Sequence, residues 1–173
     1  MTRRSRLALL VFSFAAAACG GAGPVASVSS GAATSGDEAA AGSAAGWTLG
    51  GMTNGAALIE NLGTHQRKVT TTAPQAQAFF DQGLRLTYGF NHDEAARSFA
   101  RGAEMDPTCA MCFWGAAYTL GPNYNIPMLP DRAQAAWAAI TRAKAEAASG
   151  TAVEQALIAA LAKRYKGPEY VDP

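Results

Sequence analysis

The sequence predicts an all-α fold made of helix-turn-helix units, on the basis of residue spacing and of an internal repeat. Apolar and small residues recur three or four positions apart, which places them on one face of a helix. Three of these positions repeat at an offset of 34 residues: Phe79, Gly83 and Leu86 are followed by Phe113, Ala117 and Leu120. An offset of this length is typical of helical repeats that stack into a superhelix with a concave binding surface.

Five helices are predicted, with approximate ranges 74–88, 91–105, 109–120, 131–148 and 151–166. Pro74 suits the first turn of the first helix, where a missing backbone N–H does no harm. Asn91 with Glu94, and Thr151 with Glu154, have the spacing of capping boxes, in which two side chains satisfy the free N–H groups of a helix start. These signals fix the order of the helices and their ends to within a few residues.

A loop with three prolines, residues 121–130, interrupts the second helical unit. Proline fixes φ and removes a donor, so this loop is predicted to be extended and stiff, with Asp131 as the N-cap of the helix that follows. The loop carries Asn123, Tyr124 and Asn125. An aromatic residue on a stiff, exposed loop is a candidate contact residue, and we take these three as candidates for partner binding. Packing of the tyrosine within its own loop is the alternative.

Residues 1–18 have the pattern of a lipoprotein signal peptide. Three arginines within the first six residues precede an apolar run, Leu7 to Ala18, which is too short to span a bilayer that needs about 20 residues. The run ends in four alanines directly before Cys19, and this resembles the lipobox of bacterial lipoproteins. The pattern predicts that Cys19 is lipidated and that the chain is exported. The glycine at position 20 favours the outer membrane, facing the periplasm. An ordinary cleaved signal peptide is the alternative.

The residues after Cys19 predict a tether, a lead-in and a helical domain. Residues 19–58 are rich in Gly, Ala and Ser, a composition that cannot bury enough apolar area to offset the entropy of ordering. They are predicted to form a flexible tether. Residues 59–73 are predicted to be an extended lead-in, and residues 74–173 to be the helical domain.

The end of the chain predicts that this domain is incomplete at its C-terminus. The sequence stops shortly after the first helix of an unfinished unit. Val153, Leu157 and Leu161 would then form an apolar stripe without the helix that normally covers it. An uncovered stripe favours self-association, so a second copy of the chain is an expected partner.

Longer motifs resemble those of a family of bacterial exported tetratricopeptide-repeat lipoproteins. The resemblance covers the chain from about Leu62 onward. Its motifs are Phe90-Asn91-His92-Asp93-Glu94-Ala95, Cys109-Ala110-Met111-Cys112-Phe113-Trp114-Gly115 and Gly121-Pro122-Asn123-Tyr124-Asn125. The resemblance implies an α-solenoid of tetratricopeptide-like repeats. Members of this family are generally much longer, which implies that the chain is an N-terminal fragment.

The two cysteines after Cys19 are the most reactive pair in the chain. Cys109 and Cys112 lie three positions apart near a helix start, within the Cα separation that a disulfide can bridge, and an oxidising compartment favours that bond. A disulfide is the leading prediction. One alternative is a zinc or copper site that adds His92, and His65 as a further ligand. A redox-active thiol pair is the other.

Charge and composition favour a binding protein that works without a cofactor. The chain has 14 basic and 13 acidic residues, and the basic residues are scattered rather than clustered as a nucleic-acid footprint requires. The sequence has only two histidines and no catalytic constellation, so no enzyme is predicted. The predicted function is a membrane-tethered scaffold in the cell envelope that binds a protein or peptide in its helical groove.

Overall fold

The computed structural model describes residues 47–169, and within that range the chain is all-helical, with no β-strand. The predicted all-α fold is therefore confirmed. The α-helices are α1 (Leu49–Met52), α2 (Pro74–Tyr88), α3 (His92–Met105), α4 (Ala110–Leu120), α5 (Pro130–Glu146) and α6 (Ala152–Ala162), and a 3₁₀ turn, Ala147–Ser149, follows α5. The signal peptide, Cys19 and most of the predicted tether lie outside the described residues. No helix among residues 47–169 is long and apolar enough to cross a membrane.

Most helices begin where their capping signals predict. Pro74 occupies the first turn of α2, the Asn91 side chain accepts a hydrogen bond from the Glu94 N–H, and Thr151 forms a complete capping box with Glu154. The predicted N-cap at Asp131 is wrong. The helix begins one residue earlier, at Pro130, because the first turn tolerates a residue without an N–H.

Helices α2 to α5 pack in sequence, each against the next, and α6 contacts both α4 and α5. The ring of Phe99, on α3, lies at the centre of this packing and is fully buried. A Cβ atom built on Gly83 of α2 would lie 2.8 Å from that ring, and one built on Gly115 of α4 would lie 2.3 Å from it. Both distances are below any normal contact, so the ring packs directly on the backbones of two helices. The small residues at these positions are therefore a steric requirement of the core.

Residues 47–58 differ from the predicted tether. Thr48 caps the short helix α1, Met52 is buried in the core, and α1 packs against α3 and α5. The ring of Trp47 lies 4.4 Å from the guanidinium of Arg132, which in turn pairs with Asp93 at 2.9 Å. The Gly- and Ala-rich composition of this region suggested a tether, but the segment also contains Trp47 and Met52. These apolar side chains bury enough area for residues 47–58 to be ordered. The tether therefore cannot extend to residue 58.

The lead-in, residues 59–73, contains no helix, as predicted, and lies along α2. Side chains of α2 bind its backbone. Gln77 accepts from the Val69 N–H and donates to the Arg67 carbonyl, both at 3.0 Å, and Asp81 accepts from the Arg67 N–H at 3.0 Å. Gln82 accepts from the Ile59 N–H at 2.7 Å. These hydrogen bonds satisfy main-chain groups that would otherwise be unpaired.

Two buried carboxylates fix the end of the lead-in. Glu154 of α6 accepts hydrogen bonds from the N–H and the hydroxyl of Thr70, each at 2.7 Å, and from the Thr151 N–H at 2.6 Å. Asp106 accepts from the hydroxyl of Thr71, and from the N–H and hydroxyl of Thr108 at 3.0 and 2.6 Å. Burial raises the pKa of each carboxyl group, but the hydrogen bonds outweigh it and leave both pKa values below their usual range.

The prediction that Val153, Leu157 and Leu161 form an uncovered apolar stripe on α6 is wrong. Leu161 is buried, Leu157 is half-buried, and only Val153 is well exposed, at 59%. The helix instead turns Glu154, Ile158 and Leu161 towards the rest of the domain. On this face, Glu154 accepts hydrogen bonds from Thr70, and Ile158 and Leu161 are buried beside it. Self-association through α6 stays a prediction, and its surface now centres on Val153.

Candidate functional site

A cleft of about 320 Å³ lies where the α2–α3 junction meets the end of α4 and the three-proline loop. Four aromatic side chains line it and are exposed: Tyr88 by 67%, Phe90 by 70%, Tyr118 by 40% and Tyr124 by 100%. Single exposed apolar residues are common on protein surfaces, but a group of large rings around one concavity is a candidate binding surface. We call this feature the aromatic cleft.

Phe90 adopts a backbone conformation that side chains disfavour. Its φ is 60°, in the left-handed region. The Phe90 N–H donates to the Thr87 carbonyl at 3.1 Å, and the Asn91 N–H donates to the Leu86 carbonyl at 2.9 Å. This is the Schellman pattern that ends a helix, and glycine is the usual residue at the left-handed position. A bulky residue there costs stability, and such local strain concentrates at functional sites.

Tyr118 is held in place by two neighbours. Its ring stacks on Trp114 with centroids 5.2 Å apart, and the guanidinium of Arg164 lies 5.5 Å from its centroid. Trp114 is fixed in turn, because its indole N–H donates to the Leu157 carbonyl at 3.2 Å. These contacts restrict the side-chain freedom of Tyr118 and Trp114 in the cleft wall.

Arg164 is placed by the residue next to it. Tyr165 is buried, and its hydroxyl donates to the Ala117 carbonyl. Burial raises the pKa of Tyr165 to about 12, so the hydroxyl stays protonated and keeps this bond at any physiological pH. The segment after α6 is thereby fixed to α4, and Arg164 reaches the cleft.

The polar groups of the cleft include acceptors and donors. The hydroxyls of Thr87 and Thr119 donate inward, to the carbonyls of Gly83 and Gly115 at 2.7 and 3.0 Å, so only their oxygen lone pairs are left to accept. Asn123 uses its side-chain oxygen to accept from the Asn125 N–H at 2.9 Å and from the Ile126 N–H at 3.2 Å, and its amide nitrogen makes no hydrogen bond within residues 47–169. The cleft lining contains no Asp or Glu among the residues that the structure describes.

The structure brings together only some of the residues singled out from the sequence. His92, Asn123 and Tyr124 line the aromatic cleft, whereas Asn125 lies in the loop beside it. His65 lies outside the lining, with its ring 5.6 Å from that of Tyr88. Both ring nitrogens of His92 are inaccessible to solvent and have no hydrogen-bond partner within residues 47–169.

Cys109 and Cys112 are joined by a disulfide, with Cα atoms 5.4 Å apart. They lie at the start of α4, beyond the C-terminal end of α3, whereas His92 begins α3. Helix α3 has 14 residues and rises about 1.5 Å per residue, so about 20 Å separates His92 at its start from the two cysteines beyond its end. Over the range 47–169 no three His, Cys, Asp or Glu side chains are grouped as metal ligands. The structure therefore does not bring Cys109, Cys112 and His92 together as a set of metal ligands, with or without His65.

The redox alternative requires a sulfur atom that another thiol can reach. Both Cys109 and Cys112 are 0% exposed, and a Cβ atom built on Gly102 would lie only 3.1 Å from the Cys112 sulfur. Thiol–disulfide exchange proceeds by attack on an accessible sulfur. The folded domain provides no such access to this pair.

The sequence analysis did not predict Tyr88, Phe90, Tyr118 or Arg164 as site residues. The three aromatic residues fit a buried helix face equally well, and the position of all four side chains depends on tertiary packing. One signal was available for Phe90, since it directly precedes the N-cap Asn91 at a helix junction, where glycine is usual.

Comparisons of the chain with models of protein families, with curated proteins and with solved structures find no match. The case for a function therefore rests on the motifs and on the geometry of the aromatic cleft.

Proposed function

We propose that this chain is a membrane-tethered repeat lipoprotein of the cell envelope that binds a protein or peptide segment in the aromatic cleft. The observation that carries the proposal is Phe90, a large exposed ring held in a strained left-handed conformation at the edge of the cleft. A residue that served the fold alone would be glycine here. Retention of an aromatic side chain at this cost supports a role in contact with a partner.

The composition of the cleft supports a peptide or protein partner. Tyrosine and arginine are enriched among the few residues that dominate the energy of protein interfaces. Tyr88, Tyr118, Tyr124 and Arg164 all line this cleft. Three of the four rings expose at least two thirds of their surface, so this area is available without rearrangement of the core.

Tetratricopeptide-like units are part of the proposal. The pairs α2–α3 and α4–α5 would be two such units, and α6 would begin a third. In support, Phe79 and Phe113, which are 34 positions apart, are both buried in the first helix of their pair. The cleft lies at the junction of these two pairs, where stacked repeats present a shared surface.

Substitution of Phe90 by glycine tests the proposal, because binding and stability should change in opposite directions. The change relieves left-handed strain of about 1 kcal/mol and removes a ring that contributes little to the core. We expect the free energy of unfolding to rise, and the affinity for peptides selected from a displayed library against the full chain to fall at least tenfold. Calorimetric titration of the selected peptides measures the second effect.

Tyr124→Ala should weaken the same peptides without a change in stability, since this ring is wholly exposed. Val153→Ala, an exposed apolar residue outside the cleft, is the matched control and should bind like the unmodified chain. Peptides that bind all three variants equally well, or a library from which none is enriched, would contradict the proposed function.

The anchor is tested separately. If Cys19 is lipidated, Cys19→Ser should move the protein from the membrane fraction to the soluble fraction and abolish incorporation of a palmitate analogue. Ser43→Ala, a neutral change in the predicted tether, should leave both unchanged. Membrane retention and labelling of the Cys19→Ser variant at the original level would refute the lipid anchor.

A further inference from the structure

Arg164 is held in place without a carboxylate partner among residues 47–169. Its guanidinium lies beside the ring of Tyr118, and its backbone N–H donates to the Leu161 carbonyl at 3.0 Å. The adjacent Tyr165 is buried and bonded to α4. A guanidinium carries five N–H groups, and those of Arg164 lie beside the cleft as donors.

Four other arginines in the described part of the chain each form an ion pair with an acidic residue, and Arg164 does not. Ion pairs in the described part of the chain join Arg97, Arg101, Arg132 and Arg142 to Glu94, Glu104, Asp93 and Glu146. Over the same range, no carboxylate oxygen lies within 4.0 Å of Arg164. A partly buried guanidinium beside aromatic faces is weakly hydrated and well suited to a carboxylate, which it can bind through two parallel N–H···O bonds.

A second donor lines the same cleft. The amide nitrogen of Asn123 makes no hydrogen bond within residues 47–169, whereas the ring nitrogens of His92 are shielded from solvent and are out of reach of a ligand. The Asn123 amide and the Arg164 guanidinium both favour a ligand that presents an acceptor, and the charge of the guanidinium favours a negative one.

The aromatic rings come from two separate parts of the chain. Tyr88 and Phe90 belong to the α2–α3 junction, whereas Tyr118 and Tyr124 belong to α4 and the three-proline loop. A peptide that passes between them can contact rings on both sides. This arrangement suits a carboxylate on a side chain within a peptide, flanked by apolar residues, better than one at the end of a chain.

We infer that the aromatic cleft recognises an internal Asp or Glu side chain of a peptide segment, flanked by aromatic or apolar residues, with Arg164 as the specificity-determining residue. This inference rests on the proposed function and names the chemistry of its partner. The carboxylate accepts from the guanidinium, and the neighbouring side chains of the peptide pack on the exposed rings.

Matched synthetic peptides test this inference on the full chain. Each peptide has a central Asp or Glu between aromatic residues, an acetylated N-terminus and an amidated C-terminus, and its partner carries Asn or Gln instead. We expect the acidic peptide of each pair to bind at least tenfold more tightly. The difference should shrink as salt is raised from 0.05 to about 0.5 M, because salt screens partly exposed charges.

Arg164→Gln should abolish the preference for acidic peptides, while weak binding through the aromatic rings persists. Arg164→Lys keeps the charge but loses the two parallel N–H donors of the guanidinium, so it should retain part of that preference. Arg97→Gln, on the exposed face of α3, is the matched control and should keep the full preference. Thermal unfolding of each variant verifies that it is folded.

Four results would overturn the inference. Equal binding of acidic and neutral peptides would refute carboxylate recognition and leave the proposed peptide-binding function intact. A preference that persists in folded Arg164→Gln would refute the role of Arg164. Tighter binding of neutral peptides with a free C-terminal carboxylate would refute the internal position. Absence of binding by every peptide would refute the proposed function as well.

Discussion

Gly115→Ala is expected to lower the free energy of unfolding by about 1–3 kcal/mol, the usual cost of overpacking a core. The added Cβ atom would lie 2.3 Å from the ring of Phe99, which is fully buried and has no free space to enter. Gly83→Ala places its Cβ atom 2.8 Å from the same ring and should have a smaller effect in the same direction. Denaturant unfolding, followed by far-UV circular dichroism, measures both.

The control for this prediction is another helical glycine. Gly50 of α1 has no atom within 4 Å of the position a Cβ would take, so Gly50→Ala should be neutral or stabilising, since alanine favours helix. Phe99→Leu combined with Gly115→Ala should recover part of the loss, because the smaller side chain relieves the contact and the two changes are then not additive. Equal effects of Gly50→Ala and Gly115→Ala would show that Phe99 does not pack as described.

Glu154→Gln is expected to have the second large effect, a loss on the order of 3 kcal/mol at pH 7. The glutamine side chain is uncharged and has one acceptor oxygen instead of two. The buried N–H and hydroxyl of Thr70, which both donate to the Glu154 carboxylate, therefore lose a charged acceptor. The exposed Glu60 supplies the control, since Glu60→Gln should leave stability unchanged.

The same carboxylate makes stability depend on acidity in a defined direction. The pKa of Glu154 is lower in the folded protein than the ordinary value of 4.5, so its contribution is present above pH 4.5 and is lost as the pH falls through the folded pKa. Asp106 acts in the same direction from its ordinary value of 3.8. Unfolding measured between pH 7 and pH 3 should show a steeper loss for the unmodified chain than for Glu154→Gln. Parallel curves would contradict this linkage.

Local signals were sufficient to predict most of the helices. Pro74, the cap at Asn91 and the capping box at Thr151 each act within a few residues, so their effect can be read from the sequence. The orientation of α6 could not be predicted in this way. Glu154 was recognised as half of a capping box, but its bond to Thr70 joins residues 84 positions apart, and no periodicity within α6 records that contact.

The candidate site was predicted in part for a similar reason. The proline spacing of the loop indicated that Tyr124 would be exposed, because that property follows from local backbone stiffness. The exposure of Tyr88 and Tyr118 follows instead from how α2 and α4 pack. The prediction that residues 47–58 belong to a flexible tether failed for the same reason. Their composition suggested disorder, whereas the burial of Met52 depends on helices that are distant in the sequence.

The buried disulfide also sets the order of events during maturation. Neither Cys109 nor Cys112 exposes any surface once α4 has packed against α3. Thiol–disulfide exchange passes through an intermediate in which a third sulfur is attached to one of the two cysteines. We therefore expect exchange to form this bond while α4 is still detached from α3. A chain that folds before it meets an oxidant encloses two thiols that only unfolding can release, and the rate of that unfolding then limits their oxidation.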